Sequence, residues 1–131
     1  MMKFRVWHNE LSRMMSIKNV WFQDNCLEEF ELLDRIMNKY ITAYPDEVEL
    51  MQLTGLLDKD GQEVFEGDIL GVETDEGTVN VNVFWDSEHA LFMFESKKYN
   101  EKDALGELVG DYACPFKVIG NIYENPKLLE E

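Results

Sequence analysis

Histidine occurs only at positions 8 and 89, and cysteine only at 26 and 114, in a chain of 131 residues. Neither pair has the spacing of a metal site: there is no His-Glu-x-x-His and no Cys-x-x-Cys, so the common zinc motifs are absent. Ser12, Ser16, Ser87 and Ser96 lie in no nucleophile-elbow pattern, and no glycine-rich phosphate loop is present. No stretch approaches the roughly 20 consecutive apolar residues of a spanning helix, so no membrane contact is expected. Lys3 and Arg5 are followed by an alternating segment rather than an apolar run, which differs from a secretory leader. Cys26 and Cys114 are therefore expected to be reduced thiols, and the expected location is the cytoplasm.

Basic residues are the other scarcity, with 12 Lys and Arg against 27 Asp and Glu for a net charge of −15. The imbalance is concentrated. Residues 1–18 hold four basic side chains and one acidic, residues 19–96 hold three basic and nineteen acidic, and residues 97–131 hold five basic and seven acidic. A body of that sign repels a phosphate backbone, so direct nucleic-acid binding is not expected. It has the sign needed for a mimic of nucleic acid that occupies a basic groove on a DNA-binding protein, although the ordinary role of surface charge is solubility.

Apolar residues make up 45%, including three Trp, five Tyr and eight Phe, which excludes wholesale disorder. The length suits one domain over 1–131 with a core of its own. Period-two patterning dominates. Lys3-Phe4-Arg5-Val6-Trp7 alternates, placing Phe4 and Val6 on one face. Met14 to Phe22 reads as a returning strand with Ile17, Val20 and Phe22 partly buried and Trp21 exposed on the other side. Between Leu27 and Tyr40, however, Leu27, Phe30, Leu33, Met37 and Tyr40 recur at three and four, and Asn25 with Glu28 resembles a capping box. That spacing predicts one amphipathic helix with Glu28, Glu29, Glu31, Asp34, Arg35 and Asn38 on its solvated side. Pro45 then marks the exit and Val48 the return to the sheet.

The segment from Glu49 to Leu70 reads as strand, turn, strand, bend and strand. Asp58-Lys59-Asp60-Gly61 is a tight-turn signal, with a carboxylate able to accept local N–H groups and a glycine tolerant of left-handed backbone. Glu66-Gly67-Asp68 predicts a bend that hands the chain from one sheet to the next. Asp68 is expected to cap backbone N–H groups there. Ile69–Thr74 and Thr78–Trp85 follow as strands joined by Asp75-Glu76-Gly77, with Val79, Val81, Val83 and Trp85 on one face. His89–Phe94 reads as a strand covered on both sides, 97–110 as a loop with at most a short helix in which Asn100 and Asp103 could cap a turn, and Phe116–Tyr123 as the last strand. The two histidines read as incidental strand-end residues.

Calcium fails on spacing. Placing Gly61 at the sixth position of an EF-hand loop puts Leu56 first and Gly67 twelfth, where carboxylates are required. Paired acids such as Glu66 with Asp68, or Asp75 with Glu76, are what a chain this acidic contains by chance. No catalytic, cofactor-binding or metal-binding residue is assigned, and a carboxylate-dependent enzyme centred on Asp68 is kept as a remote alternative.

Three blocks in order resemble the YopX family: Lys3-Phe4-Arg5-Val6-Trp7-His8 with Met14-Met15, the run from Glu49 to Leu70, and Val118-Ile119-Gly120-Asn121-Ile122-Tyr123-Glu124-Asn125-Pro126-Lys127-Leu128-Leu129. The chain departs from the family pattern at His8, at Leu57 and in a longer stretch from Ile17 to Asp46. The resemblance implies a small protein of phages and prophages, with no general activity established. It implies a mainly β fold (α+β by content), a small, partly orthogonal SH3-like β-barrel carrying the helix in its variable insertion. The expectation for function is a non-enzymatic protein–protein interaction module without cofactor, its partner unknown and homo-oligomers possible. The acidic mimic is the alternative.

Overall fold

The structure is a computed structural model that describes residues 2–110 and 114–130. The chain divides into two compact units, Met1–Gln52 and Leu53–Glu131. Both are built of antiparallel strands, and three short 3-10 turns are the helical content among the described residues.

The first unit contains β1 (Phe4–His8), β2 (Arg13–Gln23), β3 (Cys26–Asp34), β4 (Lys39–Ala43) and the first half of β5 (Val48–Leu57). They hydrogen-bond in the order β4-β3-β2-β1-β5. Val6, Met15, Phe30, Leu32, Ala43 and Val48 form its buried cluster, with Ile17, Leu27 and Ile41 packed against them. Phe4 lies on the face of Val6 but at the open start of β1, and it stays exposed.

The amphipathic helix expected over Leu27–Tyr40 does not form. That segment is β3, a turn, and β4. Its burial alternates strictly from Glu29 to Asp34, with Phe30, Leu32 and Asp34 inward. The inward end of that series is a charged residue, which hides the alternation and leaves the apolar positions looking helical. Asp34 is tolerated because Arg13 reaches it with two nitrogens, Nη2 to Oδ2 at 2.5 Å and Nε to Oδ1 at 3.3 Å. The N–H groups of Ile36 and Met37 also donate to Oδ1, closing the β3–β4 turn.

The second unit holds the rest of β5 paired with β6 (Glu63–Phe65), and a five-stranded sheet ordered β10-β9-β8-β7-β11. Its strands are β7 (Asp68–Thr74), β8 (Gly77–Asp86), β9 (Leu91–Ser96), β10 (Glu101–Ala104) and β11 (Phe116–Asn121). Leu70, Val72, Val81, Val83 and Phe116 lie in its core beside Val64, Leu105 and Leu108. Neither ladder closes into a barrel among the described residues, so the SH3-like barrel is replaced by two antiparallel sheets. The bend itself is where it was expected: β6 pairs with β5 and β7 belongs to the second sheet, with Gly67 between them at φ 88°. Asp68 Oδ2 accepts the Phe65 N–H at 2.7 Å and so caps that bend.

The stretch 97–110 is more ordered than a loop. It supplies β10 and a 3-10 turn at Leu105–Val109 that buries Leu105 and Leu108. Asn100 takes the left-handed turn conformation (φ 52°) between β9 and β10 rather than capping a helix. Trp85, placed by period two with the buried valines, is 43% exposed at the strand end and meets Phe92 edge-on at 5.0 Å. Val20 and Phe22, expected to be partly buried, are exposed.

Asp58 ties the central hairpin to the last strand. Its Oδ1 accepts the N–H groups of Asp60 (2.9 Å) and Gln62 (2.8 Å), and its Oδ2 accepts that of Val118 (2.9 Å). Burial pushes this carboxyl up, but the three N–H donors outweigh it and hold it below the ordinary carboxylate range. Asp34 is held down as well, first by its hydrogen bond to Arg13. In the closing segment Asn121 Oδ1 accepts the N–H groups of Tyr123 and Glu124, and Asn125 Oδ1 accepts that of Asn121. A Cβ on Gly120 would lie 2.5 Å from Asn125 Oδ1.

Two outcomes follow. Gly120→Ala should destabilise the fold by about 1–2 kcal/mol, because the methyl group displaces the Asn125 side chain from its backbone contact. In an Asn125→Ala background the same change should cost much less in a denaturant titration, and equal costs in both backgrounds would refute the contact. For pH, both carboxyls titrate lower in the folded chain than the ~3.9 of an unfolded one, so their contribution is complete above about pH 4. It is lost as pH falls through the folded value, since the unfolded chain then binds protons first. Asp58→Asn should lower the melting temperature at pH 7 by about 5–10 °C. The variant should also lose less further stability between pH 5 and pH 3 than the parent. Parallel acid profiles would exclude Asp58 as a contributor.

Candidate interaction surface

Strand pairing leaves part of the first unit projecting. β1 pairs with β2 only over Arg13–Ser16, and β4 pairs with β3 only over Phe30–Asp34. Past those rows, Trp21 faces Glu29, Phe22 faces Leu27 and Gln23 faces Cys26, so residues 21–29 pair only with each other. They form a two-stranded ribbon beyond the sheet. Its tip is Asp24-Asn25, both at positive φ (51° and 68°), the arrangement of a two-residue hairpin turn that follows strand twist.

The ribbon carries apolar side chains that no core receives. Val20 is 41%, Trp21 45% and Phe22 61% exposed, and Cys26 is an exposed free thiol. A two-stranded ribbon is marginal in water by itself, and large exposed aromatics on such an element mark contact sites. The expected exposure of Trp21 is borne out. The signal for the ribbon is present in the sequence: Asp24-Asn25 sits between Val20-Trp21-Phe22 and Cys26-Leu27, a hairpin dipeptide between strand formers that the helical spacing downstream obscures.

The other residues singled out have local duties. Buried His8 accepts the Leu11 N–H at Nδ1 (3.2 Å), holding the β1–β2 turn, so it is a turn cap. His89 lies in the turn before β9 rather than in a strand, exposed, with Nδ1 2.7 Å from Asp86 Oδ2. That hydrogen bond is the main cause that holds the Asp86 carboxyl below its ordinary value. Glu88 brings a third possible ligand near this pair, with Asp86 at the half-buried end of β8 and Glu88 and His89 on the exposed turn after it. Lys59, Leu57, Leu108, Val109, Pro115 and Phe116 line an open groove of about 240 Å³ in the second unit. The carboxylate beside them, Asp58, is engaged with backbone. No helix among the described residues is long and apolar enough to cross a membrane.

Comparisons with known proteins agree with this architecture. The crystal structure of protein EF1440 from Enterococcus faecalis is similar over 98% of each chain, with a TM-score of 0.67 and 25% identity. The crystal structure of yopX from Bacillus subtilis is similar over 95% of each chain, with a TM-score of 0.61 and 19% identity. No curated protein matches. The family model described as YopX protein matches residues 3–130, and the chain belongs to the YopX family.

Proposed function

We propose that this chain is a non-enzymatic protein–protein interaction module, an accessory protein of a phage or prophage acting in the host cytoplasm, and that its contact element is the β2–β3 ribbon. The observation that carries the reading is the projection of residues 21–29 past both neighbouring strands with Trp21 and Phe22 exposed. A strand ladder presenting a protruding aromatic hairpin suits insertion into a partner's apolar pocket, where aromatic anchors contribute most of the affinity. Action by contact also suits the carboxylates, since Asp68 and Asp58 spend their oxygens on backbone N–H groups.

The charge of −15 favours a second reading, mimicry of nucleic acid toward a basic host protein. The two readings separate by salt. In a pull-down from host lysate, the first expects a partner that resists moderate salt and is lost with a Trp21→Ser, Phe22→Ser double variant. That variant should fold normally because both side chains are exposed, and circular dichroism checks it. Capture that the double variant leaves intact, released by moderate salt and competed by DNA, would replace the ribbon with the acidic surface.

A further inference from the structure

Each antiparallel ladder ends in edge strands, and edges left open pair with other chains. Among the described residues, three of the four edges are protected. β11 has its outer groups occupied by the second unit itself: Phe116 O accepts the Lys59 N–H at 3.0 Å, and the Val118 N–H donates to Asp58 Oδ2. It is also bulged between Val118 and Gly120. β10 reads Glu-Lys-Asp-Ala, a charged edge, and β6 is three residues long with its Phe65 N–H capped by Asp68.

β4 has none of these devices. Lys39-Tyr40-Ile41-Thr42-Ala43 is regular, free of proline and acid, and bonded on one side to β3. Its charges are segregated to its ends. Arg35 and Lys39 are exposed where it begins, with Lys18 Nζ lying 5.9 Å over the Tyr40 ring, while Asp46 and Glu47 follow where it stops at Pro45.

We infer that β4 is a self-association edge, pairing antiparallel with β4 of a second copy about a two-fold axis at Ile41. Antiparallel pairing of an end-to-end polar strand brings the basic end of each copy to the acidic end of the other, so both ends are complementary at once. In that register Tyr40 stands beside Thr42 of the second copy and Lys39 beside Ala43. Tyr40, more than half exposed in the single chain, is then covered on one side by the second copy. The ribbon is on different strands, so this edge does not depend on its role.

Sedimentation equilibrium of the full chain tests the inference. The wild type should dimerise, doubling its 15.4 kDa mass. Thr42→Glu, an exposed change in the centre of the edge, should weaken association at least about tenfold with an unchanged circular dichroism spectrum. Lys39→Glu and Asp46→Lys should each weaken it, and an equimolar mixture of the two should recover a mixed dimer. In that dimer the acid introduced in one copy lies at the same end as the base introduced in the other, three positions apart, while the second end keeps its native charges. Trp21→Ser, Phe22→Ser should leave the dimer unchanged. A wild type that stays monomeric at about 1 mM, a dimer indifferent to Thr42→Glu, or charge variants that fail to recover on mixing would each overturn the proposal.

Discussion

The second unit depends on what happens to one carboxylate. Asp58 is removed from water at the end of β5, a cost that only hydrogen bonding offsets, and three backbone N–H groups supply the bonding. Two of them belong to the turn that Asp58 opens. The third is 60 residues away in β11. The same side chain therefore sets the local turn and attaches the last strand. Lys59 donating its N–H to Phe116 O, and Ile122 donating to Gly67 O, repeat the arrangement on either side. The first unit uses a related device: Asp34, desolvated on β3, is neutralised by the forked guanidinium of Arg13 and closes the β3–β4 turn through the N–H groups of Ile36 and Met37.

The legible parts of the sequence are those where side-chain chemistry and local geometry coincide. Asp58 to Gly61, Gly67-Asp68 and the alternating Val79, Val81 and Val83 each specify a turn, a bend or a face within a few residues, and each is found in place. The illegible parts are those settled by a distant partner. Asp34 can be read as inward-facing only by knowing that Arg13, 21 residues earlier, meets it. Without that knowledge Leu27, Phe30, Leu33, Met37 and Tyr40 describe a helix. A closed barrel overreaches for a similar reason: the sheet-to-sheet bend at Gly67 is local, whereas closure depends on where β10 and β11 end, which no short motif states. His8 looks idle for lack of a metal spacing, although a buried imidazole capping a turn requires none.

The residues that carry the family resemblance are largely those that hold backbone. Asp58, Gly67, Asp68, Gly120, Asn121 and Asn125 make turns, bends and caps. A signature of that kind identifies an architecture and is silent about chemistry. The stretch 17–46, outside the three blocks that carry the resemblance, supplies Phe30, Leu32 and Ala43 to the core and also extends the first sheet into a ribbon and adds an edge strand.

Charge limits how such a surface can be used. The desolvated acids are consumed by backbone and by Arg13, so the excess negative charge lies outside, where it acts on a partner over a Debye length of about 8 Å at physiological salt. A basic partner is drawn to any part of that surface. A neutral or acidic one, a second copy included, meets less opposing charge where the strand itself carries no acid, as along residues 19–23 of β2 and 35–45 around β4, although Glu29 and Glu31 of β3 stand opposite Trp21 and Asn19. The first offers aromatic rings and the second an open row of backbone donors and acceptors bounded by opposite charges. Both stretches expose large apolar side chains, Trp21 and Phe22 on the first and Ile36, Met37 and Tyr40 on the second, so a partner that docked there would gain apolar burial against less opposing charge.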